Sequence, residues 1–190
     1  VLDHGFRNPT AVLWYAIDFD GNIILYDEHY EPERPVSHHA GKIKERGIVS
    51  GFADPSIFNR TMSRQNFMYS IADEYEEFGI TLRPASRSDE NASIARVNEF
   101  FKAGRIKVFN TLVNFSEEIN NWKWKVSNAR VAVNDPEIPE DNANHLMDCL
   151  KYLIASRFPS AQKKPDIPAI KKRTIWAIEH EKEIAEGVYS

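Results

Sequence analysis

The segment "AVLWYAIDFDGNIILYDEHY", residues 11 to 30, constrains the fold most. Ala11 to Ile17 is strand-like, Asp20-Gly21-Asn22 supplies a turn, and Ile23 to His29 returns as the partner strand. Short apolar runs then alternate with helical spacings. A hairpin followed by alternating helices and strands predicts an α/β domain with a mixed β-sheet flanked by helices.

The spacing predicts a short helix over residues 36–46, stopped at Gly47, and a buried strand from Ile48 to Ala53 with Asp54-Pro55 at its end. Ser63 is positioned to cap the next helix, with Phe67, Met68, Ile71, Tyr75 and Phe78 as its apolar side and Gly79 as its stop. Ile80 to Leu82 reads as a strand. Asn91 to Lys102 reads as a helix, "RIKVF" as a strand and Thr111 to Asn120 as an amphipathic helix. "NWKWKV" reads as a strand with tryptophans inward and lysines in water, and Ser127 to Glu140 as a loop. "NANHLMDCLKYLIASR", residues 142 to 157, is helical. Pro159, Pro165 and Pro168 mark a linker before a charged helix from Lys171 to Glu186. The expected organisation is a domain over residues 1–157 and a linker-plus-helix tail over 158–190.

The 190 residues suffice for one good core, and 42% apolar with 27% charged residues describes a folded chain. A net charge of -4 excludes a surface that is basic all over, so nucleic-acid binding needs a local basic face or metal ions that offset the acids. The one cysteine, Cys149, excludes an internal disulfide and reads as core. No apolar run approaches the roughly 20 residues that span a bilayer. The abrupt start at Val1-Leu2-Asp3 suggests a fragment of a longer protein. No GxxxxGK[ST] phosphate loop occurs, so ATP hydrolysis by this chain is not expected.

Three acids fall where such a sheet gathers them. Asp3 ends a first strand, Asp54 ends "IVSGFA", and Asp148 lies in the first turns of the late helix. Loops at the carboxyl ends of strands open onto a shared crevice. Carboxylates brought that close cannot all stay ionised unless cations join them, and oxygen ligands favour Mg²⁺ or Mn²⁺ over zinc. The alternative for each is a capping or solvated aspartate. Asp148 points away from the stripe of Leu146, Leu150, Leu153 and Ile154, yet Cys149, Tyr152 and Ala155 extend apolar character toward it. A buried aspartate there is costly without a partner. His145 lies one turn before it, either as a site residue or as a core histidine. His29, His38 and His39 show no ligand-like spacing and read as surface residues.

These residues, in this order, resemble the nuclease domain of the large terminase subunit of tailed bacteriophages. "LDHGFRNPTAVLW" resembles the family's first acidic motif, "GFADPS" the second and "DNANHLMDCLKYL" the last, which typically reads Asp-His-x-x-Asp. Asn144 stands where the family often has an acid, whereas His145 and Asp148 match. Similarity covers roughly Val1 to Arg157. It implies a ribonuclease H-like fold and a metal-dependent endonuclease that cuts concatemeric viral double-stranded DNA during packaging, in the cytoplasm of an infected bacterial host. Two Mg²⁺ or Mn²⁺ ions roughly 3.5–4 Å apart are implied, with Asp3 bridging both and Asp54 and Asp148 each completing one site. His145 would orient water or accept a proton. An N-terminal ATPase motor domain, a small subunit and a portal protein are the implied partners. Candidate DNA-backbone contacts are Arg60, Arg64, Arg83, Arg87, Lys107, Lys123 and Lys125. Rival readings are a junction resolvase or transposase-type nuclease, and a non-catalytic domain that clamps DNA or docks a partner.

Overall fold

The computed structural model describes residues 1–64, 67–86, 89–122 and 144–159. The strands are β1 (Leu2–Asp3), β2 (Thr10–Ile17), β3 (Ile23–Glu31), β4 (Ser50–Ala53), β5 (Met62–Arg64), β6 (Phe67–Tyr69), β7 (Thr81–Pro84) and β8 (Ile106–Val108). The helices are α1 (Val36–Glu45), α2 (Ile71–Glu77), α3 (Glu90–Lys102), α4 (Val113–Asn121) and α5 (His145–Arg157). A 3-10 turn spans Pro55–Phe58.

Six strands form one mixed sheet in the order β7-β4-β1-β2-β3-β8. β2 runs antiparallel to β1 and β3, while β4 joins β1, β7 joins β4 and β8 joins β3 in parallel. The alternation of β2 explains the layering. Ala11 and Leu13 enter one core with α3, α4 and α5, and Val12 and Trp14 enter the other with α1 and α2. Both faces of the central strand are therefore covered, and its residues from Thr10 to Trp14 are all buried. The sheet is sandwiched between helices, as the alternation of elements predicts.

The hairpin turn is tied by Asp18, whose carboxylate accepts from the Asp20 and Asn22 backbone N–H groups and the Asn22 amide. The structure corrects the reading of α2. Ser63 lies in the β5–β6 hairpin, and the helix starts at Ser70 instead. Ser70 accepts from Asp73 N–H while the Asp73 carboxylate accepts from Ser70 N–H. That reciprocal pair satisfies two donors at once, which an isolated serine cannot. Phe67 and Met68 accordingly lie exposed. Residues 48–53 are also less buried than their apolarity suggests. β1 pairs with β4 only at Leu2–Ala53, so Ile48 and Val49 remain exposed and only Ala53 is fully buried. The expected strand at "NWKWKV" begins at the edge of the described residues, and the loop over 127–140 and the tail over 160–190 lie outside them.

Candidate active site

Leu2 and Ala53 pair across β1 and β4, and both enter the core beneath α1 and α2. The period-2 geometry of strands turns the following residues, Asp3 and Asp54, toward the opposite face, where α5 packs. The Asp54 N–H donates to the Leu2 carbonyl at 3.1 Å, fixing the two acids as neighbours at the ends of parallel strands. Beyond Asp3 the chain closes a tight loop in which the Thr10 hydroxyl donates to the Gly5 carbonyl at 2.7 Å. A Cβ on Gly5 would lie 2.5 Å from the Asn8 carbonyl oxygen, so a side chain there would displace the loop that follows Asp3.

α5 brings the other residues. The His145 Nδ1–H donates to Asp3 Oδ2 at 2.8 Å, joining positions 142 residues apart. That hydrogen bond raises the imidazole above its ordinary range, against the opposing effect of burial. Asp148 is mostly buried, and burial pushes its carboxyl up to about 6, with the Asp3 and Glu90 charges adding to the rise. The Lys151 ammonium, 2.6 Å from Asp148 Oδ1, opposes it. Lys151 also pairs with Glu90 at the start of α3. Burial alone would lower the lysine, but the two carboxylates hold it above its usual value.

Tyr152 lies within electrostatic reach of all three acids. Burial raises its phenol, and the charges of Asp54, Asp148 and Asp3 raise it further, with a hydrogen bond to Asp54. One hydroxyl thus senses all three carboxylates. Each acid is nonetheless engaged locally. Asp3 is held by His145 and Asp148 by Lys151, while Asp54 accepts from the Ser56 N–H at 3.1 Å and from the Ser56 hydroxyl, capping the 3-10 turn. Among the described residues, no three His, Cys, Asp or Glu side chains are gathered closely enough to hold a metal ion as they stand. The donor set nevertheless fits a hard cation: carboxylate oxygens, one of them buried enough that its carboxyl is raised to about 6 even with an ammonium beside it.

The sequence reading missed two supporting residues. Lys151 is legible at i+3 from Asp148. Glu118 of α4 carries no local signal; its carboxylate accepts from the Leu146 and Met147 N–H groups at 2.8 and 3.0 Å. The histidines read as surface residues also need correction. His29 and His39 are buried, with His29 Nε2 2.8 Å from His39 Nδ1. His38 joins Glu31 at 2.9 Å, and His4 meets the Tyr75 hydroxyl at 3.1 Å. α1 folds back over the end of β3, which sequence spacing does not reveal.

The basic candidates disperse. Arg83 lies opposite Phe52 at the acid end of β7, and strand alternation puts it on the same face as Asp3 and Asp54. Arg60 is exposed and pairs with Asp73 at 3.6 Å. Lys107 pairs in register with Ile24 and acts on Asp18 in the β2–β3 turn, at the opposite end of the sheet from the acids. Arg87, Lys123 and Lys125, and the side chain of Arg64, lie outside the described residues.

No family model matches the chain. Over 157 residues it is 28% identical to the terminase large subunit of Escherichia phage T5, a match covering 82% of this chain and 34% of that protein. The large terminase nuclease domain of P22 superposes with a TM-score of 0.66 at 16% identity, over 82% of this chain and 78% of that one. This chain has the fold of a large terminase nuclease domain. The nuclease domain of bacteriophage SPP1, solved with bound Mn, shares that terminase fold at a TM-score of 0.61 and 19% identity, over 80% and 82% of the two chains. The terminase nuclease of thermophilic phage G20c carries bound cobalt; it superposes at 0.54 with 12% identity, over 80% and 76%. The mixed sheet and flanking helices are those of the ribonuclease H-like terminase domains. The chain spans about a third of the length of the curated terminase it matches.

Proposed function

We propose that this chain is the nuclease part of a phage DNA-packaging enzyme, hydrolysing phosphodiester bonds of concatemeric viral double-stranded DNA with two Mg²⁺ or Mn²⁺ ions. One observation supports the reading: Asp3 and Asp54 end the neighbouring parallel strands β1 and β4, and His145, one turn before Asp148 on α5, bonds Asp3. The ATPase motor, small subunit and portal implied by the resemblance belong to the same proposal.

Asp3, between Asp54 and α5, would serve both ions, with Asp54 and Asp148 each completing one site. Bound divalent ions supply the positive charge that polarises the phosphate and acidifies an attacking water. The chain's own residues prepare for that charge. Holding those ions would draw Asp148 from Lys151 and Asp3 from His145. The imidazole, one turn from Asp148, would then be available to take a proton or hold a water. Lys151 keeps a positive charge close by, paired with Glu90, so the anionic substrate does not meet carboxylates alone. Arg83 offers a backbone-phosphate contact on the same face.

The test is plasmid cleavage with Mg²⁺ or Mn²⁺ by the wild-type chain and by Asp3→Asn, Asp54→Asn and Asp148→Asn. Each variant is expected to lose most cleavage while remaining folded. Wild-type activity in any one removes that residue from the site, and cleavage persisting in EDTA rejects the metal mechanism. Preference for four-way junctions over linear duplex would transfer the reading to a resolvase.

A further inference from the structure

α5 carries two of the proposed site residues in its first turn, yet its N-cap side chain does not hold that turn in place. Its N-cap residue, Asn144, makes no side-chain capping bond. A helix start leaves several backbone N–H groups without partners, and burial makes them costly. Here two of them, on Leu146 and Met147, converge on one oxygen of Glu118 at 2.8 and 3.0 Å. Glu118 is 4% exposed and comes from a different helix, 28 residues earlier. Its own helix is held the same way. The Glu28 carboxylate on β3 accepts from the Asn114 and Phe115 N–H groups and the Asn114 amide at 2.8 to 2.9 Å. The sheet thus grips α4, and α4 grips the start of α5.

Tyr30 closes the circuit. It lies on β3 two residues past Glu28, its phenol beside Glu118 and its ring 6.3 Å from that of His145. A buried carboxylate is an expensive cap when an aspartate at position 144 would serve the helix at less desolvation cost. What the distant carboxylate adds is position: it ties the first turn of α5 to the sheet that carries Asp3.

We propose that Glu118 is a positioning residue of the nuclease centre, setting His145 and Asp148 against Asp3 by holding the first turn of α5. The inference rests on the nuclease reading above. Residues that orient metal ligands from behind typically change metal affinity or activity by about 10- to 100-fold when removed.

The experiment compares Glu118→Gln, Glu118→Ala and the double variant Glu118→Ala/Asn144→Asp in the full chain. Readouts are melting temperature, amide hydrogen exchange at Leu146 and Met147, Mn²⁺ titration by calorimetry, and kcat and KM for plasmid cleavage. Glutamine keeps a neutral acceptor for the two N–H groups, so it is expected to stay folded with the amides protected and Mn²⁺ affinity reduced least. Alanine is expected to expose both amides, weaken Mn²⁺ binding by about 10-fold or more and lower kcat with little change in KM. The double variant restores a local cap but not the link to α4, so melting temperature recovers while Mn²⁺ affinity and kcat do not. Full recovery of affinity and kcat in the double variant overturns the proposal, because Glu118 would then be a helix cap and no more. Unchanged Mn²⁺ affinity and kcat per folded molecule in the alanine variant overturns it equally. Failure of the nuclease reading looks different: the wild-type chain itself neither binds Mn²⁺ nor cuts DNA, and only the exchange data respond.

Discussion

Lowering the pH from about 7.5 to 4.5 is expected to destabilise the fold through His39, by an amount worked from its surroundings. His39 is fully buried, and burial, followed by the neighbouring His29, His4 and His38, lowers it to about 4 from 6.5. A base depressed in this way stays neutral in the folded state while the unfolded chain takes up protons. Its contribution is complete above the unfolded value and is lost as pH falls toward the folded one. Between pH 7.5 and 4.5 the loss comes to roughly 2.5 kcal/mol, a sizeable part of the ~5–15 kcal/mol that holds a domain together.

Asp148 acts in the opposite sense over nearly the same range. Its carboxyl is raised to about 6 from 3.8, so the folded state loses stability as pH rises through that window. A raw acid-unfolding curve therefore mixes the two. The comparison of wild type with His39→Asn separates them, since Asp148 is present in both. Urea titrations at half-unit pH steps would give the two stability curves. The variant begins less stable near pH 7.5, having disturbed the bond to His29, and the difference then moves in its favour by about 2.5 kcal/mol by pH 4.5. Parallel curves across the range would show that His39 is not held neutral and refute the argument.

Three further outcomes follow from the same contacts. Lys151→Met leaves Asp148 buried without its ammonium, so the metal-free chain is expected to melt several degrees lower, with Mn²⁺ restoring more stability than in wild type; an equal Mn²⁺ shift in both would disprove the charge argument. Glu28→Ala removes the acceptor at the start of α4 and is expected to cost about 1–2 kcal/mol in urea unfolding, in the range of lost helix caps; a change under about 0.5 kcal/mol would mean that solvent replaces it. His145→Ala is expected to reduce cleavage by about 10²-fold with little loss of stability, and a stable variant cutting normally across pH 6 to 9 would exclude a proton-transfer role.

What could be read from the sequence was local. The β2–β3 hairpin depends on period-2 alternation and an Asp-Gly turn, both visible within 20 residues. The start of α2 was misplaced because Ser63 and Ser70 are equally plausible caps on their own. Only the Ser70–Asp73 reciprocity decides between them, and Phe67 and Met68 mimic helical spacing while lying in a hairpin. Asp3, Asp54 and Asp148 stand out in the sequence because strand ends and a helix start announce themselves, although nothing there shows that His145 meets Asp3 or that Ser56 meets Asp54.

The rest of the site is built from contacts between distant positions, and this explains why an acid and a histidine sit on so apolar a helix. Asp148 is tolerable there because Lys151, one turn on, neutralises it, and Lys151 because Glu90 of α3 shares it. His145 is held by Asp3 from the far end of the chain, and that bond raises its imidazole above the ordinary range. The helix start that presents both is capped by Glu118, and α4 in turn by Glu28, across 28 and 86 residues. Neither helix carries a side-chain cap of its own. Local capping would fix where each helix begins; capping from a distance also fixes where that beginning lies on the sheet. A centre that must bring carboxylates from two strands and a helix together needs the second kind of constraint, and only the folded chain displays it.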